Sequence, residues 1–354
     1  SFLMMVFVVY LHSYNLPLLK ELGIYVGRFS YNAFFQLFIS QGIVRIAVPF
    51  FFLISGYLFF VSINNYTISE FSDKFLKRFR SLVIPYLIWS LYGIILYYIL
   101  QSTPGINSFF ENKLLKDYTI VEITSIIFIN PIPYQLWFIR DLIVLILFSP
   151  IISYFLRTNK ILLLLFLAFL WVFILENQTE MEALLFFTVG SFLGINKFKT
   201  INFSDKIAIN FMFLWLLMLI VKTSFILFNF TFNEYMSLNK WEEYFWILRI
   251  FDKFGILFGI LSFWIFYDYI IKNKTIKSIM THLSFNYGIF LYLLHEPLLT
   301  MVKIGFFYLF GVSEFSSFFI FWIAPIIVIA ASIISAYLIS KKTPRLYSIV
   351  SGGR

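Results

Sequence analysis

Stretches of about 18 to 25 apolar residues recur from one end of the chain to the other, separated by short segments that gather charge, glycine and proline. As a helix rising about 1.5 Å per residue, a stretch of that length crosses roughly 30 Å of hydrocarbon. None alternates apolar and polar positions over ten residues, as a membrane barrel strand would. A backbone in lipid must satisfy its own hydrogen bonds, so these runs are expected to be helices. Ten spans are expected: 1–13, 43–61, 82–101, 136–156, 161–176, 182–196, 207–229, 246–271, 284–303 and 318–340. The first, FLMMVFVVYLH, rises only about 16 Å. Because the chain opens on Ser1, further residues are expected before it. No small-residue cleavage pattern follows, so a signal peptide is not expected.

Hydrophobic residues make up 61% and charged residues 13% of the 354, which places the chain among integral membrane proteins. With the N-terminus in the cytoplasm, sixteen Lys and Arg fall in inside segments and five (Lys20, Arg28, Lys113, Lys116 and Lys240) fall outside. Both termini are therefore expected in the cytoplasm. The net charge of +9 is then a topology signal, and no nucleic-acid partner is expected. With no cysteine there is neither thiol catalysis nor a disulfide. No repeat or linker divides the chain, so the expectation is an all-α polytopic fold of about ten helices in one membrane domain, 1–354. In the longer outside loops, YNAFFQLFI and FFENKLLKDY are expected to lie on the bilayer surface. Helix interfaces in membranes resemble cores, so the pattern is compatible with an oligomer.

Six basic residues remain inside the spans: Arg45, Arg140, Lys222, Arg249, Lys253 and Lys303. Singly, each could snorkel to the headgroups, and for Lys303 at a helix end that is the better reading. Together they point to a cavity for a polar or anionic group. PYQLWFIRDL sets Trp137 and Asp141 on one helix face. Arg140 and Asp141, adjacent in sequence, are expected to find partners on other helices. RIFDKFG spaces Arg249, Asp252 and Lys253 either as a self-neutralising cluster or as a cavity wall. In SFNYGIFLYLLHEPLL, His295 lies deep in its span, with Tyr292 one turn before it and Glu296 beside it. Two intramembrane histidines, His12 and His295, suit acid–base work or substrate hydrogen bonding. His282 falls on the cytoplasmic side, so a metal site is not expected. Before Pro85, Lys77, Arg78 and Arg80 anchor a cytoplasmic loop and would also suit the phosphates of a nucleotide-like donor.

The order VVYLHSY, VPFFFLISGYLFF, KRFRSLVIPYLIW, LWFIRDLIVLILFSP, SFNYGIFLYLLHEP and a tail ending in SGGR resembles the membrane-bound acyltransferase 3 family over the whole chain. The resemblance implies a bacterial inner-membrane enzyme that moves an acyl group, commonly acetyl, from cytoplasmic acyl-CoA to a cell-surface carbohydrate. His12 matches the first-helix histidine that the family uses in catalysis. The arginine that usually precedes it by eleven positions falls on Ser1. Lys77 and Arg80 stand where the family often has two arginines, keeping the charge but not the bidentate fork at the first position. Some members append a soluble esterase-like domain, and none is expected here, so transfer is expected to be completed by the membrane domain or by a partner.

On this reading His12 is the general base, His295 and Tyr292 orient the acceptor or His12, and Arg45, Trp137, Arg140, Asp141 and Glu296 bind the acceptor. Lys77, Arg78 and Arg80 hold acyl-CoA. A transporter or flippase for a lipid-linked sugar, or a subunit of a polysaccharide-export complex, would also use buried cations and aromatic residues. Against transport stands the lack of paired interrupted segments and repeat halves.

Overall fold

The computed structural model describes residues 2–104, 113–176, 178–198, 203–238 and 242–353. Ser1, Lys240, Arg354 and the first residues of FFENKLLKDY lie outside them. The described residues form helices in the order α1 (Phe2–Ser13), α2 (Leu16–Glu21), α3 (Tyr31–Ser40), α4 (Ala47–Phe60), α5 (Ile68–Arg78), α6 (Ile84–Ser102), α7 (Ile120–Phe128), α8 (Trp137–Leu147) and α9 (Ser149–Thr158). There follow α10 (Lys160–Phe173), α11 (Gln178–Ile195), α12 (Asp205–Asn229), α13 (Phe232–Met236), α14 (Glu243–Ile270), α15 (Lys274–Asn286), α16 (Gly288–Phe310), α17 (Glu314–Lys342) and α18 (Pro344–Val350). No strand occurs among them. The protein is an all-α polytopic membrane protein. Helix α1 lies among α3, α4, α16 and α17, so its end, which carries His12, is enclosed by both halves of the chain.

Every expected span coincides with helix, but not every helix is a straight crossing. Seven helical runs among the described residues are long and apolar enough to cross a membrane, and an eighth is the pair α8–α9, bent by 58°. The bend in the expected 136–156 span falls where Pro150 follows Ser149 at the start of α9, since proline cannot donate to the preceding turn. Helix α10 has 14 residues, about 21 Å. Its terminal carbonyls are not left to lipid: Arg249 of α14 donates to Val172 O (2.7 Å), Trp171 O (3.3 Å) and Ile174 O (2.6 Å). The guanidinium fork supplies donors to orphaned carbonyls and puts positive charge at the negative end of the helix dipole.

The tightest approach is α4 against α11. A Cβ at Gly56 would lie 2.1 Å from Phe187 O, and one at Gly190 would lie 1.9 Å from Leu53 O. Only the missing side chains let the two backbones touch, which is how helices associate where lipid provides no hydrophobic drive. Outward faces carry Phe, Leu and Ile, among them Phe166, Phe169, Phe213, Leu217, Leu257 and Leu261.

The stretch YNAFFQLFI differs from expectation. In α3 the polar residues Asn32 and Gln36 are fully buried, while Tyr31 and Phe35 are exposed. The helix is turned with its amides inward because they have partners there. Gln36 Nε2 donates to Asn15 Oδ1 (2.9 Å), Asn32 Oδ1 (2.8 Å) and Ser317 Oγ (3.1 Å), and Asn15 Nδ2 donates to Ser317 O (3.1 Å). Ser13 Oγ donates to Phe321 O (2.9 Å) and Ser40 Oγ to Tyr10 O (3.0 Å). Buried polar groups are costly unless bonded. This network ties the end of α1 to α3 and α17.

Candidate active site

The break in α16 builds the site. Pro297 has no N–H to give Leu293 O, and Glu296 before it is non-helical, at φ −111° and ψ 135°. Gln135 supplies the missing donor: its Nε2 bonds Leu293 O (3.1 Å) and Glu296 O (2.8 Å). The Tyr292 hydroxyl in turn donates to Gln135 O. The segment before α8 is thereby fixed against α16, and Tyr134 is carried to His12.

Six side chains meet there. Tyr134 Oη lies 2.9 Å from His12 Nδ1 and 3.2 Å from Glu296 Oε1. Thr300 Oγ1 donates to Glu296 Oε2 at 2.8 Å. Lys303 Nζ donates to the His12 carbonyl at 2.8 Å. The His12 and His295 rings stack, with centroids 5.3 Å apart and planes at 27°.

The hydrogen-bond chain assigns the tautomers. A carboxylate only accepts, so the single Tyr134 proton points to Glu296, and Tyr134 Oη accepts from His12 Nδ1–H. The free lone pair of neutral His12 is then on Nε2, which makes no hydrogen bond among the described residues. His295 Nδ1 lies 2.6 Å from Tyr292 O, an acceptor, so its proton is also on Nδ1. His295 Nε2 is buried without a partner among the described residues. Both stacked imidazoles thus leave Nε2 without a partner among the described residues. His295 is fully buried, whereas Tyr134 is 48% exposed.

The expected residues fall into four groups. His12, His295 and Glu296 come together, with Tyr292 holding His295 by its carbonyl and by ring contact (5.8 Å). Trp137 packs on Phe52 and Phe138 beside them.

Arg140 and Asp141 form a second group, and their expected partners on other helices are corrected. Arg140 folds back on its neighbour, with Nε at 2.8 Å and Nη2 at 2.7 Å from Asp141 Oδ1, while Nη1 bonds Ile129 O. The arginine stem is long enough to overcome the divergence of adjacent Cα–Cβ bonds.

Arg45 belongs to a third group, on a separate cavity with Arg249 and Lys253. The cluster reading of RIFDKFG gives way to the cavity wall, because Glu182 of α11 faces Arg45 (3.5 Å) and Lys253 (3.9 Å).

Lys77, Arg78 and Arg80 form the fourth group, where α5 runs into a π-helical turn, Phe79–Val83. The C-terminal tail packs there: Gly352, at φ +78°, sits where a Cβ would be 2.4 Å from Ser81 O, and Trp89 Nε1 donates to Val350 O (3.1 Å).

Sequence reasoning missed Tyr134, Gln135, Thr300 and the role of Lys303. Lys303 does not snorkel outward; its ammonium is held on the His12 backbone. A signal for Gln135 was the Glu296–Pro297 pair, since a proline inside a span announces a carbonyl in need of a donor. Among the described residues no group of three His, Asp or Glu could hold a metal ion.

Comparison with known proteins bears on this geometry. The succinoglycan biosynthesis protein ExoH of Rhizobium meliloti (strain 1021) is 22% identical over 356 residues, covering 98% of this chain and 89% of that protein. No solved structure matches. The family model described as an acyltransferase domain matches residues 2–341, and the chain belongs to that acyltransferase 3 family.

Proposed function

We propose that this acyltransferase moves an acyl group, acetyl in the simplest case, from cytoplasmic acyl-CoA to a hydroxyl of an extracytoplasmic carbohydrate in the bacterial inner membrane. The observation that carries the reading is the chain Glu296–Tyr134–His12, which leaves His12 Nε2 as an unbonded base beside a second histidine. The membership of the family and the polysaccharide role named for the Rhizobium relative support acyl transfer to a glycan.

In this mechanism His12 Nε2 takes the proton of the acceptor hydroxyl, and the oxygen attacks the thioester carbonyl carbon. The carbon–sulfur bond of the tetrahedral intermediate then breaks, and the CoA sulfur recovers the proton from His12. General-base assistance of this kind contributes about 10²- to 10⁴-fold. Tyr134 and Glu296 steady the imidazolium, as the carboxylate does in a histidine-based triad. Lys303 brings positive charge for the oxyanion. His295 Nε2 accepts a hydrogen bond from the acceptor. Lys77, Arg78 and Arg80, beside the docked tail, bind the CoA phosphates from the cytoplasm, where both termini lie. Arg140 and Asp141 flank the acceptor path.

The test is CoA release from acetyl-CoA by purified protein, with and without a panel of cell-surface glycans, in wild type and His12→Ala. Histidine-dependent release stimulated by a glycan is expected. Unchanged release by His12→Ala, or none with any glycan, would refute the reading.

A further inference from the structure

A second cavity, lined largely by α14 and the segment between α3 and α4, has no part in the chemistry above. It measures about 290 Å³, near the lower end of ligand pockets, which run about 300 to 1,000 Å³. It is lined by Gln41, Arg45, Tyr235, Arg249, Asp252 and Lys253, among others. It is joined to the histidine helix through Ser40, next to Gln41, whose hydroxyl bonds Tyr10 O two residues before His12.

Its charges do not balance. Asp252 is matched by Lys222, which also donates to Gln41 O (3.2 Å). One carboxylate, Glu182, serves both Arg45 and Lys253, at 3.5 and 3.9 Å, and its Oε2 also accepts from Trp171 Nε1 at 3.2 Å. Arg249 brings a further positive charge while its N–H groups cap α10. Three cations, Arg45, Arg249 and Lys253, therefore line the cavity with one carboxylate, Asp252, while Lys222 and Glu182 pair with these lining residues.

Lys253 is the least satisfied. It is 7% exposed, and its ammonium makes no hydrogen bond among the described residues. Its contacts are the distant Glu182 and the face of Trp171, 4.3 Å from the ring centroid. An ammonium carries three donors, and a buried charge is retained only where partners meet it. Arg45 likewise reaches Glu182 only at 3.5 Å and leaves the rest of its fork unbonded among the described residues.

We infer that this cavity binds the carboxylate of an acidic sugar residue in the acceptor glycan, with Lys253 and Arg45 as its specificity-determining cations. The inference rests on the acyl-transfer reading and sharpens its substrate class. A carboxylate matches the planar fork of Arg45 and fills the vacant donors of Lys253. The hydroxyl-bearing surroundings of a sugar ring suit Gln41, Tyr235 and Asp252. An acid held here would place a neighbouring sugar at the end of α1, where His12 lies.

Direct binding to the purified full chain tests this without requiring turnover. The probes are a tetrasaccharide containing glucuronate and the neutral glucose tetrasaccharide of the same linkage, titrated by calorimetry. The acidic probe is expected to bind at least tenfold tighter, with the advantage lost in Lys253→Gln, kept in Lys253→Arg and reduced by salt. Equal binding of the two probes, or an advantage that survives in Lys253→Gln, would overturn the inference. If Lys253→Gln fails to fold, Arg45→Gln carries the same expectation. Parallel CoA release separates the two readings. Release with neutral glycans and no acid preference would remove the subsite alone; Lys253-dependent binding without release would keep the subsite and remove acyl transfer.

Discussion

Replacing Tyr134 with Phe removes one oxygen and cuts both of its hydrogen bonds, 2.9 Å to His12 Nδ1 and 3.2 Å to Glu296 Oε1. The ring, its edge contact to His12 at 5.0 Å and the local backbone remain. As His12 takes a proton, the lost hydroxyl would have accepted from a charged imidazolium while donating to a carboxylate. Hydrogen bonds to charged groups contribute about 1.5 to 3 kcal/mol. At about 1.4 kcal/mol per decade, kcat/KM should fall roughly 10- to 150-fold. The assay is initial-rate CoA release with saturating glycan, alongside thermal unfolding in detergent. His12→Ala should lose more, about 10² to 10⁴. Glu296→Gln in the Tyr134→Phe background should cost little beyond the single change, because the chain is already cut. A Tyr134→Phe enzyme within twofold of wild type, while His12→Ala is dead, would refute the orienting chain and the tautomer assigned from it.

Other expectations follow from the packing and from the loops. Gly190→Ala drives a Cβ to 1.9 Å from the backbone of Leu53. Overpacking of this kind costs about 1 to 3 kcal/mol or more, read as a lower Tm. Gly352→Val combines a left-handed φ of +78° with a clash on Ser81 O. It should weaken acetyl-CoA binding, seen as a raised donor KM with little change in kcat, if the docked tail shapes the donor site. At the start of α7, Lys113 bonds the Glu122 carboxylate and holds its pKa down to about 2, with help from the Thr119 cap. A depressed carboxylate stabilises the fold above its unfolded pKa and loses that contribution as pH falls from about 4.5 toward 2. Glu122→Gln should therefore lower the melting temperature slightly at pH 7 to 8, where the ion pair is fully formed, and flatten the acid limb of the profile, so that the two proteins converge as pH falls toward 2.

The helices were legible because lipid makes their existence a matter of composition: a run such as 207–229 has no other stable structure. His12, His295 and Glu296 were legible as titratable groups in places that otherwise exclude them. The rest depends on partners that sequence spacing cannot pair. Tyr134 reads as a loop aromatic after two prolines until Glu296, 162 positions away, is known to face it. Lys303 at a helix end looks like a snorkelling cation, and only the His12 carbonyl, 291 residues distant, makes it an inward one. Arg140 misled for the opposite reason, since its partner is its neighbour and side-chain length overrode backbone direction. Asn32 and Gln36 looked like the polar edge of a surface helix because amides bonded to each other cannot be told from amides bonded to water.

The amide network between α1, α3 and α17 also sets an order of assembly. Asn15 leaves the ribosome long before the Ser317 carbonyl that satisfies it, 302 residues later, and the Ser13 hydroxyl waits for Phe321. During insertion the end of the first helix must stay loosely associated, its polar groups served by water or by passing translocation machinery. Helix α17 closes that gap like a keystone, so the end of α1 that carries His12 becomes rigid only once α17 is in place. On the proposed mechanism a chain that lacks α17 should be inactive toward acyl donors, and fragments divided between α16 and α17 should regain activity when coexpressed.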